Sequence, residues 1–243
     1  MGYNLVIDQG NSAAKVALFE GDRLIEHWRT EKLLPADLEK IASSYSIDAA
    51  IYCSVATRGE EIIVSLRSFV QRVYEMTSML PLPIKICYAT PTTLGRDRIA
   101  AVAGAYAAHP GCDVLVVDAG TAVTYDRLTA DGEFAGGNIA PGLWVRAKSL
   151  HDMTQRLPLV DVENNMPASL WGNGTDNAII SGVVYGIVGE TGYYRSRMPD
   201  GAIVMLTGGD AQHLASLMDF KVEVDPDLVS KGLNSILLYN ENI

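Results

Sequence analysis

The chain opens on short apolar runs broken by tight polar turns. Tyr3–Asp8 (YNLVID) reads as a strand, Gln9–Ser12 turns the chain, and Ala13–Phe19 returns as a second strand. Glu20-Gly21-Asp22 makes another turn, and Arg23–Arg29 completes a three-strand meander. Pro35–Ser44 reads as a helix, with Pro35 suited to its first turn. Ala49–Val55 is a short apolar strand. Glu60–Met76 carries Ile62, Ile63, Leu66, Phe69, Val70 and Val73 at helical spacing, which predicts one helix across the run. Ile84–Tyr88 reads as a strand, and Asp97–Ala108 as an Ala-rich helix that stops before Pro110.

The opening pattern then begins again. Asp113–Asp118 is a strand, Ala119-Gly120-Thr121 a turn, Ala122–Arg127 a returning strand, and Glu133–Ile139 a third. Helical stretches follow near Gly142–Thr154, Asp176–Tyr194 and Asp210–Met218, and Pro226–Asn240 reads as a closing helix. Strands at Ala202–Leu206 and Lys221–Val224 interleave with them. Two D-x-G turns, at Asp8-Gln9-Gly10 and Asp118-Ala119-Gly120, therefore open two matching halves about half the chain apart. One such turn alone reads as an ordinary hairpin. Two at equivalent places predict a duplicated α/β architecture, with a boundary near Gly111–Cys112: residues 1–112 form one domain and 113–243 the other.

Composition narrows the function classes. The chain has 243 residues, 48% hydrophobic and 20% charged, with a formal net charge of −10. No Lys/Arg-rich run stands out, which argues against nucleic acid or an anionic membrane as partner. Cys53, Cys87 and Cys112 are odd in number and widely spaced; buried, reduced thiols of a cytoplasmic protein are expected. The sequence shows neither a signal-peptide pattern nor an apolar run of membrane-spanning length.

The candidate chemistry is phosphoryl transfer, which needs backbone N–H groups near phosphate oxygens, orienting side chains, and a carboxylate for a hydrated cation. Gly10 lets the backbone approach closely, Asn11 and Ser12 offer side-chain donors, Lys15 a cation and Asp8 a carboxylate. Asp118, Gly120 and Thr121 repeat that set in the second half. No G-x-x-x-x-G-K-[ST] run occurs. Asp97, between Arg96 and Arg98, has two readings: a base that takes the proton of an attacking alcohol, or a cap for the helix it begins. Arg98 could grip a substrate carboxylate with a two-pronged fork. His151 reads as a surface or cap residue, Trp144 and Trp171 as packing, and Val183–Val188 as a buried helix face.

Several of these segments, in order along nearly the whole chain, resemble the signatures of type III pantothenate kinase. They are Asp8–Lys15, Leu94-Gly-Arg-Asp97-Arg98-Ile-Ala-Ala, Asp118-Ala-Gly-Thr121-Ala-Val-Thr124-Tyr-Asp126, and Gly136-Gly-Asn-Ile-Ala-Pro141-Gly142. Leu150 through Thr154 to Leu157-Pro158, Gly174-Thr175-x-x-Ala178-Ile179-x-Ser181-Gly182 and Gly209-Asp210-Ala211 continue the likeness. The resemblance implies two similar ribonuclease H-like domains in the actin/hexokinase-like (ASKHA) arrangement, facing a central cleft. It implies ATP-dependent phosphorylation of pantothenate with Mg2+ and a monovalent cation, K+ or NH4+, by a cytoplasmic homodimer.

By the same resemblance, Asp8, Gln9, Gly10, Asn11, Ser12, Ala13, Ala14 and Lys15 bind ATP phosphates, joined by Thr121. Tyr88, Gly95, Arg96, Asp97, Arg98 and Thr175 hold pantothenate, with Asp97 the catalytic base. Asp118 binds the monovalent cation, and Gly208-Gly209-Asp210 forms the adenosine-side loop. Gly136-Gly137 would lie in a loop under the substrate. Ser12 departs from the family's usual Thr and Gln9 from its usual aliphatic residue. Two alternatives of the same superfamily are a sugar or acetate kinase and a non-catalytic regulator. The zinc-type Cys/His cluster of one sugar-kinase group is missing, and the intact loops and Asp97 argue against a regulator.

Overall fold

A computed structural model describes residues 2–10, 13–54 and 59–243. Asn11 and Ser12, assigned above to the first phosphate loop, and Val55, assigned to a strand end, lie outside the described residues. The chain divides into two compact units. The first comprises Met1–Pro110, Gly132–Phe134 and Asp227–Ile243; the second comprises Gly111–Asp131 and Ala135–Pro226.

The first unit holds the meander: β1 (Tyr3–Gln9), β2 (Ala14–Glu20) and β3 (Arg23–Thr30), each antiparallel to the next. Helix α1 (Pro35–Ser44) leads to β4 (Ile47–Ser54), which pairs parallel to β1. Helix α2 (Glu60–Phe69) leads to β5 (Arg72–Glu75), parallel to β4, so the sheet order is β3-β2-β1-β4-β5. The single helix expected over Glu60–Met76 is thus a helix and a strand. Its apolar spacing holds only as far as Val70, whose N–H closes the last turn on the Leu66 carbonyl. Beyond it, Arg72–Glu75 centres on a β-branched and an aromatic residue, the kind that suits a pleated edge.

Short strand β6 (Lys85–Ile86) precedes α3 (Arg96–Ala108), and the chain's last helix, α7 (Leu228–Glu241), packs on α3 within this unit. Small residues make that crossing close. A Cβ on Gly232 would fall 1.8 Å from the Ala100 carbonyl oxygen, and one on Gly104 would fall 2.4 Å from that of Leu228.

The second unit repeats the plan. β7 (Val114–Ala119) runs antiparallel to β8 (Ala122–Leu128), and β9 (Glu133–Pro141) lies beyond β8. The first residues of β9, Glu133 and Phe134, belong to the first unit and pair with β6. Strand β10 (Ile203–Thr207) is parallel to β7, and β11 (Glu223–Val224) is parallel to β10. The order β11-β10-β7-β8-β9 therefore mirrors the first sheet strand for strand. Helices α4 (Leu143–Met153), α5 (Thr175–Arg195) and α6 (Ala211–Ala215) bury Val183, Val184 and Ile187 of α5, with Leu143 and Leu214, against this sheet's core.

Two side-chain expectations fail. Trp144 is 46% exposed and Trp171 83%, so neither serves as interior packing. Of the thiols only Cys53 is buried; Cys87 is exposed and Cys112 half-buried. Among the described residues no helix is long and apolar enough to cross a membrane.

Candidate active site

In the first unit, the ladder fixes the phosphate-loop candidates. Asp8 stands in register with Lys15, and Gln9 with Ala14, the last pair of this ladder among the described residues. Beyond it the Gly10 N–H donates to the Ala13 carbonyl at 3.0 Å. Paired residues share a face of the sheet, and the Lys15 ammonium acts electrostatically on the Asp8 carboxylate. Burial nevertheless dominates and pushes Asp8 up to about 6, against the pull of Lys15 and helped by the charge of Asp97. A carboxylate so placed gains from any cation that reaches it. Cys53, the parallel partner of Asp8 on β4, has its thiol pushed far above the ordinary range, first by burial and then by Asp8 and Asp97. It is no nucleophile.

Asp97 is the second residue of α3, and the helix N-cap is Gly95. Asp97 is therefore not itself the N-cap residue, which is a glycine without a side chain. Instead Asp97 Oδ1 accepts the N–H of Arg98 at 2.8 Å in the first turn, where helix N–H groups favour negative charge. The preceding glycine makes this position available. A Cβ at residue 95 would meet Asp97 Oδ1 at 2.5 Å.

The two flanking arginines differ. Arg96 is exposed, with Nη1 donating to the Ser54 carbonyl at 3.3 Å. Arg98 is 6% exposed, its guanidinium 5.8 Å from the Tyr88 ring centre and 5.7 Å from that of Phe134. The first unit therefore brings Asp8, Lys15, Asp97, Arg98 and Tyr88 into one electrostatic and packing neighbourhood.

The second unit builds its loop on the same ladder. Asp118 stands opposite Thr124 on β8 and Thr207 on β10, and the Gly120 N–H closes a tight turn on the Ala122 carbonyl at 3.1 Å. Gly208 takes φ +94°, which L side chains rarely adopt, and brings its backbone against Ala119 and Asp118. A Cβ there would lie 2.3 Å from the Ala119 carbonyl oxygen and 2.6 Å from Asp118 Oδ1. The Asp210 N–H bonds the same Ala119 carbonyl at 3.1 Å, so the Gly208-Gly209-Asp210 loop is seated directly on Asp118 and its turn. Asp210 is itself pushed up, by burial first and then by Glu163. Thr121 and Thr175 are exposed. Thr175 borders a cavity of about 540 Å3 with Arg146, Ser149, Leu150, Leu157 and Gly182. His151 is at the surface, its Nδ1 2.8 Å from the Leu157 carbonyl oxygen.

Three features went unread in the sequence. Tyr52 donates to Gln9 Oε1 at 2.7 Å. Thr124 and Thr207 both bury hydroxyls that lack a hydrogen-bond partner, on either side of Asp118. Gly142 is pressed on the second loop. Only strand register reveals the first two, and the Gly136–Gly142 likeness marks Gly142 without revealing what it touches.

The model of the type III pantothenate kinase family matches residues 4–196. The chain is 41% identical to the type III pantothenate kinase of Porphyromonas gingivalis over 248 aligned residues, covering 99% of this chain and 100% of that one. Among solved structures, a Campylobacter jejuni protein described as a Baf family transcriptional activator aligns with TM-score 0.63 at 22% identity, over 98% of this chain and 100% of that one. A Sinorhizobium meliloti protein assigned as a 2-dehydro-3-deoxygalactonokinase aligns with TM-score 0.57 at 14% identity, over 99% and 100%. These structural likenesses show an actin/hexokinase-like α/β fold. The matched model and the full-length relative show that the chain belongs to the type III pantothenate kinase family.

Proposed function

We propose that this chain moves the γ-phosphoryl group of ATP to the primary hydroxyl of pantothenate, the first step of coenzyme A biosynthesis, with Asp97 as general base. The observation that carries the reading is the seat of Asp97. Its carboxylate occupies space that Gly95 leaves clear, held by the Arg98 N–H and close enough to Asp8 for their charges to interact. A primary alcohol is a poor nucleophile, and a positioned carboxylate can accept its proton as the O–P bond forms and the bond to the ADP oxygen breaks. The transition state is loose, so an ionised base matters more than a strong one.

The remaining roles follow unit by unit. The stretch Asp8–Lys15 cradles phosphate, with Lys15 supplying positive charge. Tyr88, Gly95, Arg96, Arg98 and Thr175 hold pantothenate. The Tyr88 and Phe134 rings fix Arg98, whose role would be to face the pantothenate carboxylate. Thr121 contacts the phosphates from the second unit, and Gly208–Asp210 takes the adenosine side. The two actin-like domains would divide near Gly111–Cys112, as the sequence suggests, but with the closing helix α7 grouped with the first rather than the second, and the working molecule would be a cytoplasmic homodimer.

Two cations belong to this reading. Mg2+ bound with ATP would neutralise charge on the transferring group, and the elevated, cation-seeking Asp8 carboxylate suits its hydrated sphere. A potassium or ammonium ion would sit at Asp118. The residues fit: hard cations prefer oxygen donors, and the unpartnered hydroxyls of Thr124 and Thr207 stand in register with that carboxylate.

The test is steady-state turnover of Asp97→Asn beside its melting curve. Asparagine keeps the shape of the side chain, so a base should lose roughly 10²–10⁴ in kcat while the protein stays folded. ATP binding should persist. A folded variant that keeps more than about a tenth of parent kcat would overturn the assignment.

A further inference from the structure

Behind the second phosphate loop, one guanidinium ties three elements together. Arg146, in the first turn of α4, donates from Nε to the Pro141 carbonyl at 2.7 Å and from Nη2 to Glu190 Oε2 at 2.6 Å. Tyr125, on the strand that follows the loop, donates its hydroxyl to the same Glu190 oxygen at 2.9 Å. Burial works against ionising Glu190, but the hydrogen bonds from Arg146 and Tyr125 outweigh it and hold the carboxyl below its ordinary range. Burial and the Glu190 bond push the Tyr125 phenol up, so it stays a donor. Helix α5 leaves room for Arg146 with a glycine. A Cβ on Gly186 would stand 3.2 Å from Arg146 Nη1.

The tie matters because of the next peptide. Pro141 is followed by Gly142, whose N–H bonds the Thr121 carbonyl at 3.0 Å. A Cβ on Gly142 would fall 2.1 Å from the Gly120 carbonyl oxygen and 2.7 Å from that of Thr121. The turn before α4 is therefore the floor on which the Gly120-Thr121 backbone rests. An ordinary surface ion pair holds two side chains and contributes little. This one holds a backbone carbonyl one residue from the loop's own support.

We infer that Arg146, anchored by Glu190, is a positioning residue that holds the Pro141–Gly142 turn against Gly120-Thr121 and so sets the geometry of the phosphate contact. The inference rests on Thr121 contacting ATP. Small misplacements of phosphate-holding groups are costly, because transfer depends on aligned reactants.

The experiment compares KM for ATP, KM for pantothenate and melting temperature across Arg146→Met, Arg146→Lys, Glu190→Gln, Tyr125→Phe and Thr121→Val. Arg146→Met and Glu190→Gln should raise the ATP KM about tenfold or more, in line with misplacement costs, with the pantothenate KM within about twofold. Arg146→Lys should be intermediate, since a point charge cannot reproduce the fork. Tyr125→Phe keeps the strut, so it should lower melting temperature without moving the ATP KM. Thr121→Val checks the foundation: if it leaves ATP KM alone, the reading of Thr121 fails. If Thr121→Val raises ATP KM while Arg146→Met and Glu190→Gln stay folded and normal for it, the positioning role alone is overturned. A change confined to the pantothenate KM would overturn it too, because Arg146 would then act through the cavity beside Thr175. Should Arg146→Met not fold, Glu190→Gln and Arg146→Lys decide by the same KM split.

Discussion

Tyr52 on β4 donates its phenolic hydrogen to Gln9 Oε1 at 2.7 Å, binding the last residue of β1 to the strand beside it just before the loop begins at Gly10. Tyr52 is 4% exposed, and burial pushes its phenol up, so it remains a donor. The polar residue at position 9 thus has a specific partner where an aliphatic side chain would have only packing.

Removing one partner of such a bond costs more than removing both. Tyr52→Phe strands the Gln9 amide oxygen and should cost about 1 kcal/mol or more of unfolding free energy. Adding Gln9→Met, similar in volume and apolar, should recover most of that loss. Urea midpoints of parent, single and double variants decide the matter. A double variant no more stable than Tyr52→Phe would mean that the bond does not anchor the loop.

The half-buried Asp8 carboxylate predicts a pH signature in the free enzyme. Its folded value of about 6 lies above the ordinary 3.8. Between those values the folded chain keeps a proton that the unfolded chain has released, so stability falls as pH rises through the window. Below it both states are protonated and the cost vanishes; above it the cost is complete, at most about 3 kcal/mol at roughly 1.36 kcal/mol per pH unit. Asp8→Asn removes the cost. Without nucleotide or divalent cation, the variant should match the parent near pH 4 and exceed it near pH 8, where the linkage is fully expressed. An advantage that does not change with pH would refute the assignment.

Much of this was legible in the sequence because the duplication writes itself twice. Both D-x-G turns and both meanders were visible, and so were the short apolar runs that became β4, β10 and β11. The sequence misled where period and register decide. Val73 continued a helical pattern that Val70 had already closed, and the Arg72–Glu75 strand is specified by its neighbour β4. The site divides in the same way. Gly95-Arg96-Asp97-Arg98 announced itself as a cluster of chemistry-bearing side chains. Tyr52, Thr124, Thr207 and the Arg146–Glu190 strut did not, since each takes its meaning from a partner distant in the chain. Trp144 and Trp171 were misplaced because an aromatic's identity says nothing about which face of its element meets the core.

Two glycines should respond oppositely to the same substitution. Gly232 in α7 lies so close to α3 that a Cβ would fall 1.8 Å from the Ala100 carbonyl oxygen, a backbone atom that cannot turn aside. Gly232→Ala should therefore force the helices apart and cost about 1–3 kcal/mol, the usual range for overpacking. A Cβ on Gly189 in α5 would have no atom within 4 Å beyond its own helix neighbourhood. Gly189→Ala should gain about 0.5–1 kcal/mol from helix propensity alone. Chemical denaturation of the two variants reads both signs. Equal effects would show that the α3–α7 approach is looser than its geometry.

The last prediction concerns Asp118 and its two unpartnered neighbours. A buried hydroxyl without a hydrogen bond is a cost to the fold, and Thr124 and Thr207 each bury one in register with Asp118. A potassium ion held by that carboxylate would give both oxygens a partner and bind the folded state alone. At a hundred times its Kd it would stabilise the chain by about 2.7 kcal/mol. The free enzyme should therefore melt higher in potassium than in sodium at equal ionic strength, and Asp118→Ala should abolish the difference. Thr207→Val separates the hydroxyl from the packing. It removes an unpaired polar atom, so in sodium it should be neutral or mildly stabilising. In potassium it should lose part of the parent's gain, and its activation should need more of the ion. A parent protein with the same melting temperature and turnover in both salts would remove the cation from Asp118. A potassium response unchanged in Thr207→Val would leave Asp118 as a ligand and exclude Thr207.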